Sequence, residues 1–152
     1  MRRIFSVVLC FAVIFSLGAC SGKRTFTLEE FQKEVSFETG GITVRGSLEY
    51  KPGEKAAFTV KEPENIAGIV FTADEISGED IKISYGKTGD RSPVKLLLTV
   101  VSDIASKEIE LPLKGEYTHS DEVSSVGYKV TFDCEKNEIT AVETEKYEYK
   151  FE

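Results

Sequence analysis

The sequence predicts a mainly β protein of the α+β class, with an antiparallel sheet and one amphipathic helix packed on it. From residue 42 onward, apolar residues alternate with polar ones in several stretches, which is typical of half-buried strands. Residues 51–54 have the composition of a turn. One stretch, about 93–106, changes to helical spacing. Repeats, low-complexity segments and signs of a second domain are all missing from the sequence.

A short N-terminal helix is predicted to begin near Phe26. Thr27 has the character of an N-cap, Glu30 completes a capping box, and Phe26 and Phe31 have the spacing of a hydrophobic staple. Leu28, Phe31 and Val35 would share one face of this helix, which would end before Gly40 and Gly41.

The next 45 residues are predicted to be β structure. Residues 42–61 alternate on both sides of the turn at 51–54, so a hairpin is expected there. Residues 66–73 are apolar on both faces, as in a covered central strand. An acidic loop is predicted at 74–80, followed by a strand over residues 81–85.

The second half begins with the predicted helix at about 93–106. Ser92 followed by Pro93 is typical of a helix N-terminus, and apolar residues recur at helical spacing from Val94 to Ala105. Pro112 favours an edge strand over 109–113. A polar loop is predicted at 119–125, followed by strands at 128–134 and over 139–151.

The first twenty residues have the layout of an export signal. Arg2 and Arg3 precede an apolar run over 4–17, and the run ends in Leu17-Gly18-Ala19-Cys20. This ending resembles the bacterial lipobox, which implies cleavage before Cys20 and acylation of that cysteine. An ordinary secretory signal and an uncleaved anchor are the alternatives, although fourteen residues are few for a membrane span. The expected organisation is a signal peptide at 1–19, an acylated tether at 20–25 and one domain at 26–152.

This prediction places the protein outside the cytoplasm, held at the cell membrane or cell envelope by its N-terminal lipid. Residues 1–19 carry two of the 19 basic residues and no acidic one, leaving 17 basic and 26 acidic residues, a net charge of −9. Such an acidic surface repels phosphate backbones, so no nucleic acid is expected as a partner. Cys134 is the only cysteine after Cys20, which excludes a disulfide framework within the domain.

Residues that could carry chemistry are few. His119 is the only histidine and stands in the predicted polar loop, while Cys134 falls on the apolar face of a predicted strand. The acidic pairs, such as Asp74-Glu75 and Asp121-Glu122, lack the ligand spacing of a calcium loop. We therefore expect no catalytic residue, no metal site, no cofactor and no enzymatic activity.

Apolar and aromatic side chains recur on one face of nearly every predicted strand, and one strong helix is available to cover them. Either the sheet curls on itself, a partner covers it, or an apolar ligand occupies the space between helix and sheet; a closed core without ligand is equally compatible. The residues predicted to line such a cavity are Leu48, Phe58, Phe71, Tyr85, Leu97, Leu98 and Val101.

The order of predicted elements resembles that of the LolA-like carriers of outer-membrane lipoproteins. The resemblance rests on the turn at 50–54, the Ile-x-Gly-x-Val-Phe stretch from Ile66 to Phe71, the mid-chain helix and the C-terminal strands. It implies a single, strongly curved antiparallel sheet, half-barrel-like, with a cavity for acyl chains. No arginine can be matched to the one that locks the family's lid. The leading hypothesis is a protein that binds a lipid acyl chain or another apolar ligand. The alternative is an envelope module, with a filled core and no small-molecule ligand, that binds a protein partner or acts as a scaffold; an envelope hydrolase is disfavoured.

Overall fold

A computed structural model describes residues 22–78, 84–86, 89 and 92–152, with 84–86 described by their backbone alone. The described strands are β1 Lys23–Phe26, β2 Phe31–Thr39, β3 Ile42–Tyr50, β4 Ala57–Glu62, β5 Ile69–Thr72, β6 Ile76–Gly78, β7 Ser84–Gly86, β8 Ile109–Pro112, β9 Glu116–Val123, β10 Val126–Asp133, β11 Glu138–Thr144 and β12 Glu148–Phe151. The helix α1 is Pro93–Ala105, and a single 3-10 turn covers Glu64–Ile66.

The prediction of a mostly β fold with a large antiparallel sheet and a helix is confirmed. Ten described strands form one sheet in the order β7-β6-β5-β4-β3-β2-β12-β11-β10-β9, and β1 pairs with β8 in a separate two-stranded ribbon. Every described pair is antiparallel. Two meanders, β2 to β7 and β9 to β12, are therefore joined where β12 pairs with β2.

The predicted short N-terminal helix is wrong. Residues 27–30 connect β1 to β2, and β2 pairs with β3 along nine residues from Phe31 to Thr39. Val35 and Phe37 are buried two residues apart, which is strand spacing. Gly40 and Gly41 both have positive φ, so they form a tight hairpin turn instead of ending a helix.

The helix prediction over about 93–106 is confirmed, since α1 covers Pro93–Ala105. The Ser92 side chain accepts a hydrogen bond from the Lys95 backbone N–H at 3.0 Å, and Pro93 occupies the first turn. The apolar face of α1 is buried against the sheet through Val94, Leu97, Leu98, Val100, Val101 and Ile104. The Tyr149 hydroxyl on β12 donates to the Pro93 carbonyl at 2.7 Å and so fixes the start of α1 on the sheet.

The predicted polar loop at 119–125 is also wrong, because residues 116–123 form β9. This strand pairs with β10 in eight consecutive residue pairs, and its side chains alternate between half-buried and exposed. The predicted acidic loop at 74–80 contains β6, and the expected strand over 81–85 corresponds to β7, with 79–83 outside the described residues.

One hydrophobic core joins the sheet, α1 and the β1–β8 ribbon. Its fully buried aromatic members include Phe58, Phe132 and Tyr149, and the rings of Phe26 on β1 and Phe132 on β10 meet edge to face at 4.8 Å. This core extends from Phe26 to Tyr149, so the mature chain expected from cleavage before Cys20 contains all of it.

Candidate functional site

The side chains predicted to line a ligand cavity come together between α1 and the sheet. Five of them are fully buried members of the core: Leu48 on β3, Phe58 on β4, and Leu97, Leu98 and Val101 on α1. Phe71 on β5 is half-buried and packs against the same core. Tyr85 belongs to β7, but its side chain lies outside the described residues.

The region around these five side chains is filled. Each has 0% of its surface exposed, so no water-sized space touches it from outside or inside the protein. A ligand between α1 and the sheet would therefore have to displace packed side chains. Protein interiors are close-packed, and such displacement is costly.

An apolar cleft lies beside the loop that joins β1 to β2. Its apolar lining comes from both ends of the chain: Phe26, Leu28, Phe31, Ile139 and Phe151. Thr27, Asn137, three glutamates and two lysines form the rest of the lining, and the volume is about 280 Å³. The sequence analysis missed this cleft because it assigned residues 26–35 to a helix. The signal available was the two-residue spacing of Val35 and Phe37.

The rim of the cleft is already neutralised in part. Lys33 Nζ donates to Glu138 Oε2 at 2.9 Å, and Lys136 Nζ lies 3.6 Å from Asp133 Oδ2. Of the other two acidic residues in the lining, Glu30 lies 3.9 Å from Lys51 Nζ, and Glu29 adds a negative charge. The rim therefore does not select an anionic head group, and the cleft suits an uncharged apolar group.

A compact ion cluster joins the C-terminal end of α1 to β9 and β10. Lys107 Nζ lies 2.6 Å from both Asp103 Oδ2 and Asp121 Oδ2, and the Tyr128 hydroxyl donates to Asp103. The hydrogen bond from Lys107 holds the pKa of Asp121 at about 2, and the two carboxylates raise the pKa of Lys107. Burial raises the pKa of Tyr128, and the bond to Asp103 raises it further.

The charged and hydroxyl groups of this cluster are paired with one another, so the cluster joins the end of α1 to the sheet. His119 on β9 faces it, with Nε2 at 3.6 Å from Asp121 Oδ2, which is too long for a hydrogen bond. Within the described part of the chain, histidine, cysteine and acidic side chains do not gather in threes as a metal site needs.

The other two residues considered for chemistry are placed as follows. Cys134 is fully buried in the core, as its position on an apolar strand face predicted. Cys20, the predicted lipid attachment site, lies outside the described residues. Among the residues described, no helix has the length and apolar character needed to cross a membrane.

No protein-family model matches the sequence, and no curated protein matches it. The resemblance to the LolA-like carriers and to the lipobox therefore stays a prediction from the residues themselves.

Proposed function

We propose that this chain is a lipid-anchored, non-enzymatic protein of the cell envelope that works by binding a protein partner. The observation that carries the partner hypothesis is the filled core: five of the seven predicted lining residues are fully buried, leaving no water-sized space around them. A protein with such a core binds through its surface. The lipobox-like ending at Cys20 supports the anchor, and two or three acyl chains would hold it stably.

The finer architecture is part of the same proposal. We propose that the ten-stranded sheet curves strongly into a half-barrel around α1, as the LolA-like resemblance implies. Strand twist accumulates across a wide sheet, and one helix of thirteen residues is short for covering a flat sheet of this width. Curvature would let the sheet cover part of its own apolar face.

Binding of an apolar ligand is the second candidate, and the cleft beside residues 27–30 favours it. Its volume of about 280 Å³ is just below the range of about 300–1,000 Å³ typical of small-molecule sites. The cleft would accept part of an acyl chain, or a single apolar side chain of a partner. The cavity predicted between α1 and the sheet would need movement of α1 before it could hold a ligand.

Native mass spectrometry separates the two candidates. The chain from residue 21 onward, purified from a bacterium without detergent, is measured before and after addition of a fatty acid and a phospholipid. A protein mass without adducts in both cases is expected for a partner-binding module. An adduct of lipid mass that is lost in Phe31→Glu, but retained in the surface control Ile42→Glu, would overturn the partner proposal in favour of a ligand in the cleft.

The anchor is tested separately on the full-length chain in the bacterial host. Incorporation of labelled palmitate and recovery in the membrane fraction are expected for the wild type and for Cys10→Ala. Both should be lost in Cys20→Ala. Equal labelling of the two variants would refute acylation at Cys20.

A further inference from the structure

The strand β9 is a long, regular edge of the ten-stranded sheet. It is the last strand in the sheet order, and it pairs with β10 over eight residues without a register shift. The opposite edge, β7, has three residues and pairs with β6 through an irregular register. Edge strands are usually protected by proline, charged residues (especially lysine), bulges or shortness. β9 contains no proline, lysine or bulge and is eight residues long, and its charged residues are all acidic.

The outward-facing backbone groups of β9 follow from the pairing register. The Cys134 N–H donates to the Gly115 carbonyl at 2.8 Å, so the pair just before β9 is a hydrogen-bonded one. Hydrogen-bonded and non-bonded pairs alternate along an antiparallel ladder. The N–H and C=O groups of Glu116, Thr118, Ser120 and Glu122 therefore point away from β10, toward the open side.

Within the described residues, the middle of this edge is unpaired. The Glu122 N–H is capped by the side chain of Asp121 at 2.8 Å, which is consistent with its outward direction. Neither the Thr118 nor the Ser120 backbone has a partner on the open side among the described strands. These two residues thus present free donors and acceptors on an edge without a register shift.

The charges of β9 indicate what kind of strand would fit beside it. Glu116 and Glu122 are exposed and have no ion partner among the described residues, while Asp121 is bound to Lys107. β9 contains no lysine or arginine, and Lys129 on β10, opposite Ser120, is the nearest base in the register. Two carboxylates six residues apart therefore favour an incoming strand with two basic residues at the same spacing.

A second copy of this chain fits poorly in the register that pairs the greatest length of β9. Two β9 strands paired antiparallel about His119 would place Glu116 of each copy opposite Glu122 of the other. Like charges directly opposite each other in a sheet are destabilising.

We propose that the open edge of β9 accepts an extended segment of a partner protein as an added antiparallel strand, with basic residues of that segment opposite Glu116 and Glu122. Main-chain hydrogen bonds at Thr118 and Ser120 provide affinity in this mode, and the two charge pairs provide selectivity. This inference rests on the proposed partner-binding function and names the surface for it.

The probe is a nine-residue peptide, acetyl-Thr-Lys-Thr-Val-Thr-Val-Thr-Lys-Thr-amide, with its two lysines six positions apart. The protein is the chain from residue 21 onward, and hydrogen exchange of backbone amides is followed by NMR. At ten times the dissociation constant, the amides of Thr118 and Ser120 should exchange about tenfold more slowly. The same peptide with both lysines replaced by glutamate should bind about 2- to 30-fold more weakly.

Paired variants show whether the backbone edge is responsible. Thr118→Pro removes an outward N–H without touching the ladder to β10, and Thr118→Ala removes the same side chain but keeps the N–H. Binding should be lost in the proline variant and retained in the alanine variant. Glu116→Gln with Glu122→Gln, which keeps the whole backbone, should weaken binding about 2- to 30-fold and so tests the proposal even if the proline variant fails to fold.

Three results would overturn the proposal: no saturable binding up to millimolar peptide, protection at amides outside β9, or self-association of the unliganded protein that Thr118→Pro abolishes. Failure here is distinguishable from failure of the proposed function. A chain without lipid adducts whose β9 edge does not bind the peptide would still be a partner-binding module, using another surface.

Discussion

Gly46 on β3 leaves no room in the filled core for one added carbon atom. It pairs with Val60 on β4 at a register shift, and the ring of Phe58 lies over it. A Cβ at residue 46 would lie 2.2 Å from the Thr59 carbonyl oxygen and 2.6 Å from Phe58 Cζ. The oxygen belongs to the backbone, so β3 and β4 would have to separate, by about 1 Å if the contact is to reach a normal distance.

The expected cost of Gly46→Ala is about 2–4 kcal/mol in the free energy of unfolding. Overpacking a core typically costs about 1–3 kcal/mol, and weakening one hydrogen bond between β3 and β4 adds about 1 kcal/mol. Phe58 cannot move aside easily, because it is fully buried and its ring lies 5.9 Å from that of Phe37.

Urea denaturation followed by circular dichroism measures this difference. Gly127→Ala on β10 is the matched control, because a Cβ there meets nothing within 4 Å. Alanine in place of a strand glycine should stabilise the control by about 0.5–1 kcal/mol. Equal midpoints for the two variants would refute the close packing of Phe58 on Gly46, and with it the argument that the core is filled.

Three further predictions concern single polar groups. Arg24 Nε and Nη2 are buried without a hydrogen-bond partner among the described residues. Because a buried, unsatisfied polar group is costly, Arg24→Met should raise the free energy of unfolding by about 1 kcal/mol in urea denaturation. A loss of stability would mean that Arg24 has a partner. Tyr149→Phe removes the hydrogen bond to the Pro93 carbonyl and should lower the free energy of unfolding by about 1 kcal/mol, as measured by urea denaturation. An unchanged midpoint would mean that this bond does not hold α1 on the sheet. The pKa of Asp121 is lowered to about 2 by Lys107, so its ionised form stabilises the fold above about pH 4, and this contribution is lost as the pH falls from about 4 to about 2. The stability difference between the wild type and Asp121→Asn should therefore shrink across that range, and a constant difference would contradict the pairing with Lys107.

The parts of the fold that local chemistry specifies could be predicted from the sequence. The hairpin of β3 and β4 has strict alternation and a turn rich in Pro and Gly, and α1 begins with Ser92 and Pro93. In both segments, the residues of the cap or turn and the spacing of the apolar residues indicate the same element. A segment can be predicted from its sequence when such local signals agree.

The two wrong predictions have different physical causes. β2 is preceded by a sequence, residues 27–30, that could cap a helix, but nine residues of pairing with β3 outweigh that local preference. The middle of the inner face of β9 is polar, because Asp121 meets Lys107, just beyond the end of α1, while only the two ends, Tyr117 and Val123, pack against the core. Apolar residues at the two ends alone do not give the alternating pattern by which a strand is recognised in the sequence.

The candidate site was predicted only in part, because the sequence does not show how tightly the side chains pack. Apolar residues such as Leu48, Phe58 and Leu98 face the space between sheet and helix whether that space is empty or filled, so the pattern is the same in both cases. The difference depends on side-chain volumes in three dimensions. The cleft beside residues 27–30 and the edge of β9 depend on pairing between distant segments, which one sequence does not reveal.

The short tether restricts how the proposed surfaces would meet a partner. With Cys20 acylated as proposed, only Ser21 and Gly22 separate it from Lys23 at the start of β1, and this short segment spans at most about 11 Å. The β1–β8 ribbon would then lie close to the lipid head groups. A surface cleft brings Tyr117, at the start of β9, together with Gly22 and Lys23, so this end of β9 would also face the membrane. The net charge of −9 opposes flat contact with anionic lipids, so the rest of the edge would remain accessible to a partner strand at the membrane surface.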